Sequence, residues 1–345
     1  MRNLRIAEII TKPKPDNSWK LLKQVGIDEV VGTLPRAYFD WRQEASDDPW
    51  SYSALSRYRD LLSDHGFRLA CIEDNPPMNM IKYGREGREE ELENVFRMIE
   101  NMGKLGVGIW CYNWMAGVGW MRTRTAVRTR GDALTASFSY DDVKNDPPPK
   151  LGTVSSDTLW KTLKWFLERV IPVAEENGVK LSMHPDDPPL KEVRGVSRIM
   201  NSIESYDRLI KMVKSDSNTI TLCQGNFTLM TDDLPNVIEH FVKLGKVSFV
   251  HFRDVSGTPE NFHETFIDEG KTDMAICMSA YLRNGFDGIM RTDHSPLLYG
   301  DESDVPGYSI LSRLHAIGYI QGLYDSLKHE KKLTPGHRAL NPGSK

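Results

Sequence analysis

Cysteine is scarce in this chain, with four in 345 residues at positions 71, 111, 223 and 277 and no CxxC pair. That spacing offers no disulfide framework and predicts reduced thiols in a cytoplasmic protein. Long apolar runs are also missing. Nothing approaches the ~18 residues of a membrane span, so no membrane role is expected. The opening MRNLRIAEIITKPKPDNSW holds only a short apolar run before charges resume, unlike a signal-peptide core. Positive charge is not in excess, since 44 Lys and Arg face 48 Asp and Glu for a net charge of −4. A dedicated nucleic-acid binder is therefore not expected. No glycine-rich GxGxxG turn follows the first β-rich run, which argues against a dinucleotide fold.

What is present is ample core material: 39% apolar residues, with 12 Phe, 12 Tyr and 8 Trp. Strands are expected at Leu4–Ile10, Glu29–Leu34, Phe67–Ile72, Gly106–Tyr112, Lys180–His184, Thr219–Cys223, Val247–Phe252 and Gly288–Thr292. Runs such as VGIWCYN and VSFVHF are nearly continuously apolar, as parallel strands covered on both faces should be. Helical stretches lie between them, several ending in a glycine where a left-handed residue is wanted. Eight such units predict an α/β fold, a single (β/α)8 TIM barrel over residues 1–330. The polar stretch Met121–Val154 is expected to be a lid-like insertion after the fourth strand, and 331–345 a flexible tail.

Barrel enzymes build their sites at the C-terminal ends of the strands. Here four successive strands end in His184, Cys223, His251 and Asp293. Adjacent strand ends lie about 5 Å apart, so these side chains are placed to share one cation. Imidazole, thiolate and carboxylate together suit Fe(II), Mn(II) or Zn(II) better than Mg2+ or Ca2+. Cys71, Cys111 and Cys277 show no such partners and read as core.

These residues also carry a resemblance. MHPDDPP at Met183–Pro189, CYNWM at Cys111–Met115, HFR at His251–Arg253, FHE at Phe262–Glu264 and TDH at Thr292–His294 resemble, in order and spacing, the mannonate dehydratase family. ProGlyTyrSer at Pro306–Ser309 extends the match. The resemblance implies a xylose-isomerase-like TIM barrel using Mn2+ or Fe2+ to remove water from D-mannonate, giving 2-keto-3-deoxygluconate. It places the metal ligands on His184, Cys223, His251 and Asp293, the set the strand ends had already given.

For proton transfer at C2 and C3 the resemblance points to Tyr308, with His294 a second candidate and Asp187 a third catalytic position. Arg253 and Arg122 are expected to clamp the substrate carboxylate. Asn113, Asp186 and His263 are expected to contact the small-molecule sugar acid, with Glu264 beside His263 reaching the site or capping a helix. The chain departs from the family pattern at Ile9–Pro15, at Gly119, where an Asp is usual, and at His294-Ser295-Pro296, where a second His is usual. All three fall where substrate would be touched, so a related aldonate is an alternative substrate. A metal-dependent isomerase or epimerase, and a non-catalytic sugar-acid binder, are the competing functions. A homo-oligomer is compatible with the composition.

Overall fold

A computed structural model describes residues 4–36, 48–301 and 307–333. The apolar runs become strands because burial on both faces leaves the backbone only ladder partners. The strands are β1 (Arg5–Ile10), β2 (Glu29–Gly32), β3 (Arg68–Glu73), β4 (Ile109–Asn113), β5 (Arg124–Arg128), β6 (Leu134–Ser139) and β7 (Lys180–His184). They continue with β8 (Glu192–Val193), β9 (Val196–Ser197), β10 (Asn218–Cys223), β11 (Val247–His251), β12 (Val255–Thr258), β13 (Asn261–Glu264) and β14 (Ile289–Arg291). Eight of them, in the order β1-β2-β3-β4-β7-β10-β11-β14, close into a parallel barrel. These are the eight strands expected, each within three residues of its predicted ends.

The connecting helices are also those expected. Six of them start at a side-chain cap, from Asp16, Ser51, Ser155, Ser202, Asp233 or Asp273. The last helix runs Ile310–Leu333. The remainder of the expected tail, 334–345, and Pro306 lie outside the described residues.

The barrel interior is uneven. Toward β1–β4 it is filled by Ala7, Ile9, Val31, Ala70, Cys71 and Ile109. Toward β7, β10 and β11 it holds hydroxyls that satisfy one another. Thr219 Oγ1 lies 2.7 Å from Ser248 Oγ, and Ser182 Oγ accepts from Ser248 and Thr221 at 2.8 Å each.

The stretch 121–154 is more ordered than its polar sequence suggested. It contributes β5 and β6 to a four-stranded antiparallel sheet, order β12-β13-β6-β5, whose other two strands follow β11. Gly257, within β12 and opposite Phe262, has φ +124°, and a Cβ there would fall 2.2 Å from Asn261 O, so only glycine fits.

Candidate active site

His184, Cys223 and His251, at the ends of β7, β10 and β11, each bring a donor atom within 4.8 Å of the others. Asp293, just past β14, joins them, its Oδ2 lying 3.4 Å from His251 Nδ1 and 3.9 Å from Cys223 Sγ. A cavity of about 310 Å³ opens over this cluster. Its wall includes Glu73, Asp74, Asp187 and Asp293, and among the described residues no Lys or Arg.

The electrostatics favour anions at the cluster. Burial would raise the Cys223 thiol, but Arg253 and the neighbouring His184 and His251 rings bring it down to about 5. Asp293, although buried, is held well below the usual carboxylate range by Arg291, His294 and His251. Burial and Arg291 oppose charging the His251 ring, yet Glu73 and Asp293 push its pKa well up. Neither nitrogen of the buried His251 has a hydrogen-bond partner. A thiolate, a carboxylate and two imidazoles with ring nitrogens left over form a donor set that fits a divalent transition-metal ion.

A second group, Glu73, Cys111 and His251, is equally close. It fits a metal less well. Burial and Glu73 push the Cys111 thiol up to about 11, and Arg291 occupies both oxygens of Glu73 at 2.7 and 2.9 Å. Cys111, read from sequence as core, nevertheless lines the cavity.

Behind the wall stands a layer of guanidiniums. Arg122 grips Asp187 through both terminal nitrogens, at 2.5 and 3.0 Å, and reaches Glu264 with Nε at 3.0 Å. Arg253 bonds Asp293 at 2.8 Å, Glu264 at 2.8 Å and Asp187 at 3.1 Å. Arg291 spans Asp293 and Glu73. Arg122 and Arg253 are thus saturated by protein carboxylates and sealed off, their side chains 1% and 2% exposed. The direct clamp on a substrate carboxylate expected of them is not available in this arrangement. A Cβ at Gly225 would lie 2.2 Å from Arg253 Nη1, so glycine makes room for that guanidinium.

The other expected residues divide. Asn113, Asp187, His294 and Tyr308 line the cavity. Tyr308 donates its hydroxyl to Asp293 Oδ1 at 3.1 Å, and His294 Nδ1 lies 3.1 Å from Glu264 Oε1. Burial and then Asp293 push the Tyr308 phenol upward, so it stays protonated. Asp187 is buried, yet Arg122 and Arg253 hold it ionised far below neutrality. It is a fixed anion rather than a proton carrier. Asp186 turns away from the cavity, accepting the Met200 N–H at 2.7 Å and facing Arg198 at 3.6 Å, and so pins its own loop. His263 stands on β13 next to Glu264, so the pleat sends it to the opposite face, away from the charge network.

Comparison with known proteins decides the family. The model of the D-mannonate dehydratase (UxuA) family matches residues 16–153 and 149–334. The chain belongs to the D-mannonate dehydratase family. A mannonate dehydratase of Enterococcus faecalis is 31% identical over 345 residues, covering 90% of this chain and 94% of that one. One of Thermotoga maritima is 30% identical, covering 89% and 92%. The crystal structure of mannonate dehydratase from Streptococcus suis superposes with a TM-score of 0.86 at 25% identity, over 95% of this chain and 96% of that one. An L-ribulose 3-epimerase structure, at TM-score 0.62 and 15% identity over 97% and 99%, shares the fold. Gly119, where the resemblance led to an expected Asp, has nothing within 4 Å of its Cβ position, so a larger side chain would meet no steric obstacle there. Ser295 is held in place by its N–H to Gly307 O at 2.9 Å.

Proposed function

We propose that this chain dehydrates D-mannonate to 2-keto-3-deoxy-D-gluconate with Mn2+ or Fe2+ held by His184, Cys223, His251 and Asp293. The observation that carries the reading is the convergence of those four donors under a cavity whose wall also presents His294 and Tyr308. When bound, the ion supplies the positive charge that stabilises an enediolate-like carboxylate, which the cavity wall itself lacks.

The protein groups then divide the proton work. His294 Nδ1 is directed to Glu264, leaving Nε2 to take the C2 proton. The C2–H electron pair forms the C2=C3 bond as the C3–O bond breaks. Tyr308, whose raised pKa keeps its proton on the oxygen, delivers that proton to the departing hydroxyl, which leaves as water. The resulting enol becomes the 2-keto acid. Arg122 and Arg253 act through Asp187, Glu264 and Asp293, fixing where those carboxylates stand. The insertion that carries Arg122 is read as the lid of the site. The four cysteines are all free thiols, in keeping with a cytoplasmic setting, and no described helix is long and apolar enough to cross a membrane.

The test is turnover by anaerobically purified protein loaded with Mn2+ or Fe2+, offered D-mannonate beside other aldonates. Formation of the 2-keto-3-deoxy acid from D-mannonate is the expected result. Loss of water from a different aldonate alone overturns the substrate, and no loss of water from any overturns the reaction.

A further inference from the structure

Lys82 is an unusual lysine. It lies in the last turn of a short helix (Asn79–Tyr83) after β3 and is 4% exposed, with no carboxylate within ion-pairing distance among the described residues. Its Nζ donates instead to Asn113 Oδ1 at 3.2 Å and to Met115 O at 3.0 Å. The Met115 backbone N–H also donates to Asn113 Oδ1, at 3.2 Å. Burial, and then Arg198, bring the ammonium down to about 7. Even the neutral amine keeps two N–H bonds, enough for both acceptors.

The consequence falls on Asn113. Two donors converge on its Oδ1, which fixes the amide orientation, because an Nδ2 in that place would meet N–H groups. Among the described residues the Nδ2 hydrogens have no acceptor, and they belong to a residue on the cavity wall, where β4 ends beside His184. That wall carries carboxylates and no Lys or Arg among the described residues, so N–H donors for substrate oxygens there come from uncharged amides such as Asn113 and from aromatic rings.

We propose that Lys82 is a positioning residue that locks the Asn113 amide with Nδ2 toward the cavity, where it donates to an oxygen of the sugar acid. This rests on the sugar-acid reading given above. Lys82 does not touch substrate. It removes the alternative amide orientation, and a pre-oriented donor costs less to engage than one that must be ordered on binding.

Three measurements test it. Lys82→Met should raise KM about tenfold with kcat within about twofold, the size of one lost hydrogen bond to a charged or polar oxygen. Asn113→Ala should do the same, and the double variant should be no worse than Asn113→Ala, because Lys82 acts through Asn113. Multiplying effects, or an unchanged KM in Lys82→Met, overturn the proposal. Should Lys82→Met not fold, Asn113→Asp keeps the acceptor for Lys82 and Met115 and replaces the cavity-facing N–H donors with a carboxylate oxygen, and Asn113→Leu removes them without adding charge. In both, KM must rise by at least as much, and an unchanged KM overturns the proposal. Independently of any turnover, a crystal structure of Lys82→Met should show Asn113 in more than one orientation. A single unchanged orientation overturns the positioning role, whatever the substrate proves to be.

Discussion

The cavity wall and the layer directly behind it carry opposite charges. Glu73, Asp187 and Asp293 face the space where substrate would sit, and Arg122, Arg253 and Arg291 stand behind them with no access to it. Sequence position gives no hint of this division, since Arg253 is two residues past a strand end, as a substrate-binding residue would be. The difference teaches that a guanidinium near a site can serve by keeping carboxylates ionised and aimed, leaving the cavity to be neutralised by a bound cation. Buried charge of this kind is tolerated only when each member is matched.

The sharpest way to break the contrast is to disarm the wall. Cys223→Ala should lose bound metal, measured by elemental analysis, and with it turnover by about three orders of magnitude or more. Tyr308→Phe leaves the donor cluster whole and should retain metal while kcat falls by about 10²–10⁴.

Acid attacks the layer boundary instead. Burial alone would raise Glu264, but Arg253 and Arg122 bring it down to about 2. Its unfolded-state value is about 4.3. The folded pKa is the lower one, so its contribution to stability is complete above the unfolded value and is lost as pH falls toward 2. The urea midpoint should therefore drop between about pH 5 and pH 2, and that slope should flatten in Glu264→Gln.

The smallest effect belongs to a pair of similar geometry on the surface. Arg128 and Asp132 lie 2.8 Å apart, but their side chains are 74% and 79% exposed. Arg128→Ala should change the unfolding free energy by no more than about 0.5 kcal/mol. A larger loss would mean that solvent screening is not what separates the two classes of ion pair.

Most of the barrel was legible because parallel strands buried on both faces read as apolar runs, and the helices between them end in caps. The donor cluster was legible because strand ends are where barrel chemistry sits. What escaped has physical reasons. β5 is exposed along most of its length, so its sequence RTAVR carries no apolar alternation. β12 and β13 are four residues each, too short for a period to register. The choice between His263 and Glu264 turns on the phase of a pleat, and a one-residue shift reverses which of two neighbours faces the site. Cys111 reads as core because a thiol on an apolar strand has the same signature whether its strand end meets a cavity or a side chain.

The sheet that joins β5 and β6 to β12 and β13 has a consequence for how such a protein can change over generations. Its two ribbons are encoded more than a hundred codons apart, yet Arg122 beside one and Glu264 on the other meet in a single ion pair. Lengthening or shortening either ribbon alone would shear that pair and leave charge stranded in the interior. The two stretches are therefore expected to drift together, so that an insertion in one lineage's first ribbon is accompanied by a compensating change in its second.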